Sequence, residues 1–122
     1  MDRLEEIIVM QTKFMDQLGL PRVPSGGDIT NISGDRAIQK THIPQLMYAL
    51  TCELGEIGDA LNWKPWKKTE HPIDVENLRM EFIDALHFLF EMMIMCGMNA
   101  ETIHAEYKKK MEENIARQAR GY

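Results

Sequence analysis

The sequence predicts an all-α protein of four helices. Apolar residues recur at helical spacing in four separate stretches, glycine or proline follows the first three, and no run alternates with the two-residue period of a strand. Neither an internal repeat nor a low-complexity tract interrupts this pattern. At 122 residues and 14.1 kDa, a single domain over 1–122 with a modest core is expected.

The first helix is expected over 2–19, where Leu4, Ile7, Ile8, Met10, Gln11, Phe14, Met15 and Leu18 keep helical spacing up to Gly19 and Pro21. The stretch P-R-V-P-S-G-G-D-I-T-N-I-S-G-D then breaks regular structure, and connections of that length are usually functional or mobile. A second helix is predicted over 43–62, with Leu46, Leu50, Leu54, Ile57 and Leu61 inward. Gln45, Cys52, Glu53, Glu56, Asp59 and Trp63 lie on its opposite rim, and Pro65 cannot continue its hydrogen-bond ladder. The third helix, about 74–97, stops at Gly97. Asn99 suits the N-cap of a fourth that runs to about Gln118.

Composition excludes several roles. A formal net charge of −5 argues against nonspecific nucleic-acid binding. No uninterrupted apolar run approaches the roughly 18 residues of a membrane span, so a soluble, cytoplasmic protein without a membrane partner is expected. Cys52 and Cys96 are too few for a disulfide framework and read as small core residues in a reducing compartment. Ten methionines suit an adaptable core or an oligomer interface. With 44% hydrophobic residues in so short a chain, a homodimer or a dimer of dimers is expected.

Within the third helix, Glu81, Asp84, His87 and Glu91 share one face of a segment that is apolar on every other side. Burying bare carboxylates is costly unless something compensates, and a bound cation is the usual compensation. Glu53 and Glu56 repeat the same three-residue spacing upstream. Folding the chain about residue 69 sets them opposite about residues 85 and 82. Four such oxygen donors suit Mg²⁺, with Mn²⁺ as the alternative. The bland reading of each pair is a solvated helix face.

His87 reads as a core histidine or as a ligand. Asp84-Ala-Leu-His87 and Glu101-Thr-Ile-His104 both look like the carboxylate-x-x-His elements of di-iron bundles. Against that, folding about residue 98 sets His104 opposite about residue 92, about 12 Å along the helix from Asp84. Lys110, Asn114, Arg117 and Gln118 line one face of the fourth helix, as a solvent face or as charge-assisted donors for phosphates. Trp63 and Trp66 fit stacking on a base or anchoring a core or interface, and Lys64 and Lys67 fit an approach to phosphate.

Together these residues resemble the all-α nucleoside triphosphate pyrophosphohydrolases, the superfamily of dimeric dUTPases and MazG-like proteins. E-L-G-E followed by E-F-I-D looks like the E-x-x-E…E-x-x-D metal motif. W-K-P-W-K resembles the tryptophan- and lysine-bearing segment after the first pair, and Y-K-K-K-M-E-E-N-I-A-R-Q-A-R-G-Y the C-terminal motif. The resemblance covers about residues 45–122. It implies that Glu53, Glu56, Glu81 and Asp84 bind Mg²⁺ and that Lys110, Asn114 and Arg117 contact phosphates. Gln11 would correspond to a base-contacting glutamine. Where dUTPases usually carry asparagine four residues later this chain has Met15, so the resemblance leaves the base open.

The reading that follows is a Mg²⁺-dependent hydrolase that cuts a (deoxy)nucleoside triphosphate between its α and β phosphorus, with Glu53 or Glu56 orienting or deprotonating the attacking water. The alternatives are a di-iron or metal-binding helical bundle using His87 and His104, and a noncatalytic helical interaction module.

Overall fold

The computed structural model describes residues 1–30 and 34–121, which leaves Asn31, Ile32 and Ser33 of the long connection and Tyr122 of the C-terminal motif outside the described residues. It is all-helical: α1 (Arg3–Gln17), a π-helical turn (Ile38–His42), α2 (Ile43–Asp59), α3 (Val75–Met95) and α4 (Ala100–Ala119). Among the described residues there is no strand, and no helix is long and apolar enough to cross a membrane. The chain divides into two compact units: Met1–Thr30 with Met93–Tyr122, and Asn31–Met92.

In the first unit the helix ends follow from their capping residues. The Asp2 carboxylate accepts from the Glu5 amide at 2.8 Å, and Glu5 and Glu6 place negative charge at the positive end of α1. At the other end Gly19 takes φ +70°, its amide donates to Asp16 O, and the Leu20 amide reaches back to Met15 O. Gly97 ends α3 in the same way, with φ +92° and amide bonds from Gly97 to Ile94 O and from Met98 to Met93 O. Two residues later Asn99 caps α4: its side chain accepts from the Thr102 amide at 3.0 Å while Thr102 Oγ1 accepts from the Asn99 amide at 2.8 Å.

The proline-rich segment after α1 is tied down. The Val23 amide donates to Met95 O, the Gly26 amide to Gly97 O, and the Asn99 side-chain amide to Ser25 Oγ. Val23 is buried with Ile8, Met15, Ile94 and Met95, which form this unit's core. Over its described residues the expectation of irregular chain therefore holds as absence of helix or strand, with the amides of Val23, Gly26 and Gly27 paired.

In α1 the apolar residues form two stripes. Ile8, Gln11 and Met15 are buried, whereas Ile7, Met10, Phe14 and Leu18 stand exposed. The second unit shows the same surplus. Ile38, Ala85 and Phe90 are its buried apolar residues among those described, and Phe82, Ile83, Leu86 and Leu89 of α3 are exposed.

Several expectations need correcting here. No residue of α2 is fully buried, and Leu54 and Leu61, expected inward, are exposed. Cys52, expected in the core, is exposed; Cys96 is half-buried. The second helix ends at Asp59 rather than 62. The Leu61 amide already turns back to Gly58 O at 3.0 Å, and the Asn62 side chain is engaged across the following loop. Pro65 therefore lies beyond a stop made by its neighbours. The third helix begins where the Asp74 carboxylate accepts from the Asn77 amide at 3.0 Å.

These ends carry stability. A Cβ at Gly97 would collide with the Gly27 carbonyl and force an L-residue into positive φ. Gly97→Ala is expected to destabilise the chain by more than about 1 kcal/mol, and Asn99→Ala, which removes the capping box, by about 1 kcal/mol. Urea titration followed by helical circular dichroism measures both, and unchanged midpoints would contradict the assignment.

Candidate active site

Two helices of the second unit bring carboxylates together. Glu53 on α2 and Glu81 and Asp84 on α3 each offer an oxygen, and these oxygens lie within 4.8 Å of one another. The three-residue spacing of Glu81 and Asp84 puts both on one helical face. All three side chains are half-buried. One oxygen of Glu53 and one of Glu81 (Oε2 in both) are closed off from solvent with no hydrogen-bond partner. Acceptors left in that state are costly.

Glu56, one turn along α2 from Glu53, is exposed and borders the trio. Its carboxyl makes the neighbours harder to ionise. Glu53 is pushed above its ordinary value by burial first, then by a hydrogen bond and charge repulsion from Glu56, then by Asp84. Glu81 is pushed up first by a hydrogen bond with Glu56, then by burial and by the charges of Glu56, Asp84 and Glu53. Protons and cations compete for such a cluster. Three carboxylates with converging oxygens, two of which also carry an orphaned oxygen, fit an oxygen-seeking divalent cation.

Among the described residues this is the one group of three or more potential ligands that converges, and neither His87 nor His104 joins it. Further along α3, Glu91 is raised by burial, and the charge of His87 acts in the opposite direction. The arrangement therefore favours an all-oxygen centre over the histidine-bearing di-iron alternative.

The connection from α2 to α3 gathers Trp63, Lys64 and Lys67 around a pocket of about 420 Å³, together with Asp59, Asn62, Thr69, Glu70 and His71. Pro65 and Trp66 occupy the centre of a turn closed by the Lys67 amide on Lys64 O at 3.2 Å. The Trp66 ring stands edge-on to Trp63 with centroids 5.5 Å apart, and Lys64 Nζ lies 5.9 Å from the centre of the Trp63 ring. The sequence reading took the aromatic and lysine residues here and missed Asn62, His71 and Gly58. No periodic signal marks them, because two make loop contacts and the third acts by lacking a side chain.

In the first unit, Lys110, Asn114 and Arg117 follow one face of α4. Lys110 lines a shallow groove with Glu106, Lys109, Glu112 and Glu113, and Arg117 Nε donates to Glu113 Oε1 at 3.1 Å. Gln11 faces inward on α1 and is only 7% exposed.

Residues 29–100 match the family described as dUTPase. A dCTP pyrophosphatase of Enterobacteria phage LZ5 is 39% identical over 79 residues, covering 56% of this chain and 46% of that protein. The chain thus spans less than half the length of that relative. A dCTP pyrophosphatase of Enterobacteria phage T4 is 28% identical over 117 residues, covering 83% of this chain and 67% of that protein. No solved structure gives a significant match. The family match runs over more than half of the chain and takes in both acidic pairs, so this protein belongs to the dUTPase family, within the all-α nucleoside triphosphate pyrophosphohydrolases.

Proposed function

We propose that this chain is a Mg²⁺-dependent pyrophosphohydrolase that converts a deoxynucleoside triphosphate to its monophosphate and pyrophosphate. The observation that carries the reading is the convergence of Glu53, Glu81 and Asp84 with two unpartnered oxygens. The dUTPase family and the dCTP pyrophosphatase relatives support deoxypyrimidine triphosphates as the substrate class.

In this reading Glu53, Glu81 and Asp84 hold the cation. When bound, it supplies a Lewis acid at the phosphates and makes water more acidic. Glu56, exposed beside the trio, accepts the proton of the attacking water. The water oxygen bonds to the α phosphorus, the bond from that phosphorus to the bridging oxygen breaks, and pyrophosphate leaves with the electron pair. Lys110, Asn114 and Arg117 on α4, with Lys64 and Lys67, give donors to the phosphates. Trp63 and Trp66, with Gln11, belong to base recognition. The exposed stripe Ile7, Met10, Phe14 and Leu18 supports self-association as a homodimer or a dimer of dimers.

Glu81→Gln and Asp84→Ala are each expected to lower turnover at least about a hundredfold, with the helical signal retained. Phosphorus NMR of wild-type reactions with dCTP and dUTP should show pyrophosphate and monophosphate. Orthophosphate with a nucleoside diphosphate would refute the cleavage position.

The metal-free protein should also report its cluster through pH. Glu53 and Glu81 have folded-state values above their ordinary 4.5, so the folded chain keeps protons that the unfolded chain has released. Their contribution to stability is complete below about 4.5 and disappears as pH rises through the raised values. Asp16 works oppositely: its hydrogen bond with Arg22 lowers its value, so its contribution is lost as pH falls. In chelator, the melting temperature should drop as pH rises from about 4.5, more for wild type than for Glu81→Gln, and Mg²⁺ should restore it. Parallel profiles for the two proteins would contradict this.

Sedimentation at micromolar concentration should give a dimer or larger, and Met10→Glu with Phe14→Glu should shift it toward monomer. A wild-type monomer overturns the assembly proposal.

A further inference from the structure

We infer that Asn62 and Gly58 are positioning residues for nucleobase recognition, which together fix Trp63 at the wall of the pocket formed by the α2–α3 connection. The inference rests on the reading of Trp63 as a base contact and adds what holds it in place.

The connection from Ala60 to Asp74 contains no helix or strand, yet its ends are clasped. Asn62 Nδ2 donates to His71 O at 2.9 Å, and the His71 amide donates to Asn62 Oδ1 at 3.0 Å. Both ends of one side-chain amide thus grip the backbone of one residue, as a neighbouring strand would. The clasp closes a nine-residue span, and inside it lies the Lys64–Lys67 turn. Trp63 follows Asn62 directly, so fixing Asn62 fixes the backbone from which the indole departs.

Gly58 supplies the seat. A Cβ there would lie 3.2 Å from Trp63 Nε1 and 3.3 Å from Cδ1, tighter than ordinary van der Waals contact. The indole edge therefore rests on a stretch of α2 that carries no side chain. Trp66 braces it edge-on, and Lys64 sits by its ring. Even so, Trp63 remains 54% exposed. A planar ring held from several sides and still open to solvent, beside a pocket of about 420 Å³, suits a heteroaromatic base. Holding the ring before the base arrives removes an ordering cost from binding.

This role separates base from phosphate. Calorimetry on the full chain with each of the four deoxynucleosides, and with pyrophosphate plus Mg²⁺, reads the two separately. Asn62→Ala should weaken the best deoxynucleoside about tenfold and raise KM for its triphosphate similarly, with kcat and pyrophosphate affinity changed less than about twofold. Gly58→Ala should act in the same direction while α2 becomes a better helix, since alanine exceeds glycine in helix propensity. That variant keeps the test valid if Asn62→Ala folds poorly. Unchanged deoxynucleoside binding in both variants overturns the inference, as does an equal loss for deoxynucleoside and pyrophosphate. Wild-type protein that binds none of the four deoxynucleosides, or Trp63→Ala that binds them normally, overturns it together with the base-contact reading. If wild type binds a deoxynucleoside but cleaves no triphosphate, the proposed reaction fails, and the loss of binding in both variants still supports the inference.

Discussion

The constraint on which the candidate site depends is the crowding of like charges. Glu53, Glu81 and Asp84 reach within 4.8 Å of one another, with Glu56 beside them, and the charges that shift Glu53 and Glu81 are all acidic. Left alone, such a cluster favours separation or protonation. It persists because the helices carrying it are fixed by other means: Ala85 and Phe90 are buried on α3, and α2 continues directly from a π-helical turn seated by Ile38. Apolar burial and capping hold the acids where their own electrostatics would not. A scaffold that positions groups against their preference suits ligand binding, because a proton or a divalent cation would relieve the unfavourable term.

The same helices carry more apolar surface than one chain uses. On α1, Ile8, Gln11 and Met15 turn inward while Ile7, Met10, Phe14 and Leu18 form a second stripe in solvent. Helix α3 repeats this with Phe82, Ile83, Leu86 and Leu89. Single exposed apolar residues are ordinary, but stripes at helical spacing on two helices are the pattern of surfaces meant for covering. Covering by a second copy is the proposed reading of that surplus.

That surplus also explains what could be read from the sequence and what could not. Local signals gave the ends of helices well: Asn99 as a cap, Gly19 and Gly97 as stops, because these act within a few residues of themselves. The pairing of Glu53 with Glu81 and Asp84 was legible from spacing and from the chain reversal between them. Burial was not. Periodicity marks apolar positions but cannot say which of two stripes faces the chain's own core, so Leu54 and Leu61, expected inward, stand exposed. The early end of α2 was also hidden, since it depends on Asn62 reaching His71 across the loop.

In the proposed reading, the placement of Glu53, Glu56 and Gly58 on one helix ties recognition to chemistry. At 1.5 Å per residue, Gly58 lies about 3 Å along α2 from Glu56 and about 7.5 Å from Glu53, on a rigid hydrogen-bonded rod. In the proposed reading the first two set the reacting end of the substrate and the third seats the indole that meets its base. The distance from base to α phosphorus is then gauged against a single element for as long as the Asn62–His71 clasp keeps Trp63 seated on Gly58. A triphosphate with a base of the wrong size would meet Trp63 correctly only by withdrawing its phosphorus from the carboxylates. Selection would be exerted on turnover as well as on binding, because the penalty falls at the reacting atom.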